Sequence, residues 1–138
     1  MIPGVLQPVW PAAAHVEAVF TTRAGGVSLA PFDSLNLGDH VGDSAVHVAH
    51  NRALLHQAIQ GRPVFLKQVH SADVAMLDAH SSDGTVADAC IATQRGVACT
   101  IMVADCLPLL FTDRAGSFVA AAHAGWRGLV GQGGVGVV

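Results

Sequence analysis

Two histidines and a cysteine, His70, Cys106 and His123, each stand where an apolar run gives way to a polar or glycine-containing turn. Imidazole nitrogen and thiolate sulfur are both good zinc ligands. A set of three such donors leaves the fourth tetrahedral position for water or substrate, the pattern of a catalytic rather than a structural site. The gaps between the three are long and unequal and match no short zinc motif. Residue types alone leave three chemistries open. One is a shared metal. Another is a Cys106 nucleophile with a histidine base, which needs only convergence in space. The third is a pair of hydrogen-bonded loop histidines beside a cysteine buried as a small hydrophobe. Arg23 also follows an apolar stretch and precedes Ala24-Gly25-Gly26. That position suits a phosphate or ribose contact as well as an ordinary surface charge.

The elements that must position these residues follow from the apolar pattern. Residues 15–22 alternate as a strand does and end at Arg23. Residues 45–59 predict a helix, introduced by Asp43-Ser44, stopped by Gly61 and Pro63, with Val46, Ala49, Ala53, Leu54 and Ala58 as its apolar face. Strands are predicted over 63–69, ending at His70, and over 73–77, 89–93 and 108–112. Residues 97–104 form a near-continuous apolar run that reads as a strand covered on both faces and ends at Asp105-Cys106. After a turn at 113–116, residues 117–122 predict a strand ending at His123. The expected fold class is α/β or α+β, a mixed sheet with packed helices. Ligands in such sheets sit beyond strand ends, where loops diverge.

With 138 residues the chain fits one domain with one modest core. Hydrophobic residues make up 51% and charged residues 12%. That is too apolar for disorder and poor in charge against the roughly 25–35% of a small domain's surface. Exposed apolar surface and self-association are therefore expected. The net charge of −3, with no Lys/Arg run, gives no footprint for nucleic acid. No apolar stretch is long enough to span a membrane. The N-terminal segment, interrupted by Pro3, Pro8 and Pro11, lacks the basic start of a signal peptide, so a cytoplasmic location is expected. Three cysteines, Cys90, Cys99 and Cys106, without CxxC spacing indicate reduced thiols, with Cys90 and Cys99 in the core.

The segments TTRAGGVS (21–28), SLNLGDHVGD (34–43), KQVH (67–70), VADCLPLLFTDRAG (103–116) and VAAAHAGWRG (119–128) resemble, in order and spacing, the successive signatures of the YfiH-like family. That family is also called the polyphenol oxidoreductase laccase-domain or purine nucleoside phosphorylase family. The resemblance covers about residues 9–129. It implies the YfiH-like fold and an enzyme that phosphorolyses adenosine, inosine and methylthioadenosine and deaminates adenosine. Purine nucleosides and phosphate would be its small-molecule partners. Some members are described as copper-dependent polyphenol oxidases, and bacterial members are linked to peptidoglycan editing. By the same resemblance His70, Cys106 and His123 bind the metal, zinc or else copper, and Arg23 lies in the same pocket.

Members of the family continue well past this point, whereas GLVGQGGVGVV (128–138) replaces an expected amphipathic helix. Residues 129–138 read as an atypical tail after a truncation or frame change. The chain is therefore expected to be the N-terminal portion of a single domain over 1–138, with an inactive fragment as an alternative reading. Asn36 and Asp39 suit either a pocket role or side-chain bonds that hold their loop. Arg127 suits substrate binding or an ion pair. Asp105 suits a carboxylate that orients His70 or His123, or a turn cap. Trp126 reads as a packing residue, and the remaining histidines as solvated or locally satisfied.

Overall fold

A computed structural model describes residues 2–126, 129 and 136. Two compact units are distinguished. The first comprises residues 2–11 and Glu17–Gln60; the second comprises Ala12–Val16 and the described residues from Gly61 onward.

In the first unit a single helix, α1 (Ala45–Ala58), carries a set of long loops. The helix lies within one residue of its expected span, but its buried face is a different one. Val48, Asn51 and Leu55 are buried. Val46 is 76% exposed, and Ala49, Ala53 and Ala58 are also exposed. Asn51 explains the rotation. Its side chain, 0% exposed, accepts the Val27 N–H at 2.9 Å. Its amide nitrogen lies 2.9 Å from the Ser28 hydroxyl, 3.1 Å from the Ser34 carbonyl and 2.8 Å from the Asn36 carbonyl. Burying an amide is favourable only with such partners, so the helix turns this satisfied side chain inward. Gly26 belongs to the same knot. A Cβ there would meet the Ser34 carbonyl oxygen at 2.1 Å and Asn51 Oδ1 at 2.5 Å, so only glycine fits.

The expected strand at 15–22 is absent. Apart from one antiparallel bridge between Leu6 and Phe20, with N–H to O distances of 2.8 Å in both directions, that segment is irregular. Alternation over a few residues is not enough without a neighbouring strand to accept the backbone groups.

The second unit contains β1 (Arg62–Phe65), β2 (Val74–Leu77), β3 (Ala89–Ala92), β4 (Val97–Thr100), β5 (Leu107–Thr112) and β6 (Val119–Ala124). β1 and β4 pair in parallel, and a four-stranded mixed sheet has the order β2-β3-β6-β5. β2 runs parallel to β3, and β6 runs antiparallel to both β3 and β5. This is the mixed-sheet α/β class expected. The apolar core draws on both sheets through Val64, Leu66, Leu77, Cys90, Ala92, Val97 and Ala121, with Cys99 packed against it. Both non-site cysteines are thus core residues. Each large aliphatic side chain buried there contributes about 1.5–3 kcal/mol relative to exposure. Pro108 is tolerated because β5 is an edge strand. Among the described residues no helix is long and apolar enough to cross a membrane.

Candidate metal centre

All the residues of this centre lie in the second unit. After β1 the chain reaches Gln68, whose side-chain amide donates to the Met102 carbonyl and accepts the Met102 N–H, each at 2.8 Å. This two-point pairing ties the stretch before His70 to the stretch before Cys106. His70 itself adopts φ 60, the left-handed region that a non-glycine residue seldom occupies. Cys106 stands immediately before β5. His123 does not end its strand as the apolar pattern suggested. It lies inside β6, because the pairing with β5 continues through Pro108↔His123 and Leu107↔Ala124.

The three side chains converge. Their potential ligand atoms all lie within 4.8 Å of one another. Cys106 Sγ is 3.9 Å from His70 Nε2. The two imidazole rings meet edge to face, with centroids 4.8 Å apart. His123 is buried, Cys106 half-buried and His70 exposed. Gly125 lines the site from the chain after β6. A Cβ there would come within 3.2 Å of Cys106 Sγ and 3.3 Å of His70 Cδ2, so the glycine keeps the space beside the donors open. Tetrahedral zinc with N and S ligands separates its donors by about 3.3–3.6 Å. The observed donors are somewhat wider apart than that, and their types fit a borderline-soft divalent ion.

A carboxylate that sequence reasoning passed over underlies both histidines. Asp88, 0% exposed, accepts the N–H groups of Val69 (2.9 Å), His70 (2.9 Å) and Ser71 (2.8 Å) and the Ser71 hydroxyl (3.1 Å). Its Oδ2 also lies 2.7 Å from His123 Nδ1, and its backbone carbonyl accepts the His123 N–H at 2.7 Å. Burial works to raise the Asp88 carboxyl, but the hydrogen bonds from His123, Ser71, Val69 and His70 outweigh it and hold the group below the ordinary carboxylate range. Asp105, the carboxylate proposed from sequence to orient a histidine, instead sits beside the cysteine, its Oδ1 3.7 Å from Cys106 Sγ. Desolvation, then the charge of Asp105 and the hydrogen bond to it, push the Cys106 thiol up. An activated cysteine nucleophile needs the reverse shift, which weakens the metal-free hydrolase reading.

Arg23 and Asn36 belong to the first unit. The exposed Arg23 guanidinium pairs with Asp33 Oδ1 at 3.0 Å and donates to the Asp33 carbonyl at 2.6 Å. Asn36 braces its own loop. It accepts the Gly38 N–H at 3.0 Å and donates to the Gly38 carbonyl and to Asp43 Oδ2. Arg127 and most of the 129–138 tail lie outside the described residues.

The family description "multi-copper polyphenol oxidoreductase laccase" matches residues 17–136. A purine nucleoside phosphorylase of Pseudomonas aeruginosa is 57% identical over 124 residues, which are 90% of this chain and 50% of that protein. The purine nucleoside phosphorylase YfiH of Escherichia coli is 50% identical over 127 residues, 91% of this chain and 52% of that protein. Among solved structures, a Neisseria meningitidis protein of the DUF152 family superposes with a TM-score of 0.86 at 51% identity. The match covers 95% of this chain and 53% of that one. The chain therefore spans about half the length of the curated relatives it matches.

Proposed function

The chain belongs to the multi-copper polyphenol oxidoreductase laccase family in its YfiH-like form, and on that premise we propose that it is a zinc-dependent purine nucleoside phosphorylase. The observation that carries the reading is the convergence of His70, Cys106 and His123 on one space that Gly125 keeps open. Those three residues would hold the metal, and a bound divalent ion would supply Lewis acidity. Arg23, Asn36 and Arg127 are proposed as substrate contacts on the family resemblance alone. The same open position serves the deamination of adenosine in this proposal. Phenol oxidation of the multicopper kind uses several copper sites, whereas the described residues supply one ligand cluster.

The test is turnover of inosine. Metal-loaded protein is expected to release hypoxanthine only when phosphate is present, to lose this on chelation and to regain it with zinc. Release that ignores phosphate, or that survives complete metal removal, would refute the proposal.

Metal binding should also depend on pH in a definite direction. The Cys106 thiol is pushed up, so at neutral pH the metal must displace its proton. Affinity is then expected to rise with pH, by about tenfold per unit while the thiol stays protonated, with about one thiol proton released per ion. Competition titrations with a chromophoric chelator at several pH values read this out, and an affinity that stays flat or falls with rising pH would show that Cys106 does not ligate as thiolate.

A further inference from the structure

We propose that Asp88 is the positioning residue of the metal centre, setting the backbone of one histidine ligand and the ring of the other with a single buried carboxylate. The inference rests on the metal reading above and concerns residues that reading does not use. Consecutive N–H groups of Val69, His70 and Ser71 point at one carboxylate. Such an arrangement is a small anion nest, and it requires the chain to curl. His70 supplies the curl with φ 60, a conformation that is strained for a non-glycine residue. The hydrogen bonds to Asp88 offset that strain, so the backbone that aims the His70 ring exists because the carboxylate is beneath it.

The other half of the argument concerns His123. A carboxylate that already accepts backbone N–H groups is an acceptor, so the ring nitrogen 2.7 Å away must donate. Nδ1 therefore carries a proton, which makes Nε2 the nitrogen that the neutral ring offers to a metal. Asp88 fixes the same residue a second time through its carbonyl, which accepts the His123 N–H. Asp88 and His123 meet away from solvent, with side chains 0% and 6% exposed.

Asp88→Asn is the direct test. An asparagine cannot accept on both oxygen positions. Its NH2 group would face either His70 N–H and His123 Nδ1 together, driving the ring toward the Nε2–H tautomer, or the Val69 and Ser71 N–H groups, breaking the nest beneath His70. Cobalt(II) or zinc affinity is expected to fall by about 10–100-fold, with altered cobalt ligand-field bands. Unchanged affinity and spectrum in a folded Asp88→Asn protein would overturn the proposal. Long-range proton–nitrogen NMR of the metal-free wild-type chain needs no variant to fold. It should find His123 protonated on Nδ1, and an Nε2–H tautomer would overturn the role of Asp88 outright. A wild-type chain that takes up neither ion would overturn the metal reading, while the tautomer still decides the role of Asp88.

Discussion

Replacing Cys106 with serine is expected to weaken zinc binding on the order of 10²–10³-fold and to abolish any metal-dependent turnover. The magnitude follows from sharing the roughly 10–16 kcal/mol of a four-ligand zinc site among its donors, about 3 kcal/mol each. Serine is nearly isosteric, but its hydroxyl stays protonated at neutral pH and is a poor substitute for a soft thiolate. Cys106 is half-buried at the start of the edge strand β5 and outside the apolar core. The substitution should therefore leave the thermal midpoint close to that of the metal-free parent. That separation makes the result readable: a loss of metal without a loss of fold identifies a ligand. Cobalt loading gives a second readout, because the sulfur-to-cobalt charge-transfer band should vanish in the serine protein. Persistence of that band, or zinc affinity within about a factor of two of wild type, would exclude Cys106 as a ligand.

The largest effect on stability is expected at Asn51. Truncation to alanine removes the acceptor of the Val27 N–H and the donor that serves Ser28, Ser34 and Asn36. Each buried polar group left unpaired costs about 1–3 kcal/mol, and water entering the vacated space recovers part of that, so the net loss should be about 2–4 kcal/mol. Aspartate should be no better. It keeps an acceptor for Val27 but turns a charge toward the carbonyl oxygens of Ser34 and Asn36. Denaturant unfolding of both variants, with hydrogen exchange of the amides at 27–36, measures the effect. A change below about 0.5 kcal/mol, the range of ordinary surface substitutions, would mean that the knot around Asn51 does not hold the loops.

These expectations differ in how visible their residues were beforehand. His70, Cys106 and His123 stood out because their side-chain types are metal donors at the borders of apolar runs, and their chemistry does not depend on context. Helix α1 and β1 to β6 were legible for a related reason. Apolar periodicity and Gly/Pro punctuation act over a few residues, and each expected strand of the second unit is present. But β1 stops at Phe65 and β4 at Thr100, so His70 and Cys106 lie in loops beyond the strand ends, and the run to residue 104 is neither all strand nor fully buried. The segment at 15–22 misled because alternation describes a strand's faces and says nothing about whether a partner strand is present. The buried face of α1 misled because Asn51 looks like a solvated residue until the loops carrying Val27, Ser34 and Asn36 close over it.

Asp88 marks the boundary most sharply. In sequence it is one acidic residue in an alanine-rich stretch, 35 positions from His123, with no motif joining them. The antiparallel register of β3 with β6, Ala89 opposite Ala122, carries residue 88 to the side of residue 123. That register is set by which alanine and cysteine side chains pack between the sheets, and packing is a property of the whole second unit. The sequence by itself determined the donor set and the elements that bear it, because donor chemistry and periodicity are local. The tertiary structure alone decided which carboxylate lies beneath the histidines and which ring nitrogen is left bare, because strand pairing couples residues that the chain keeps far apart.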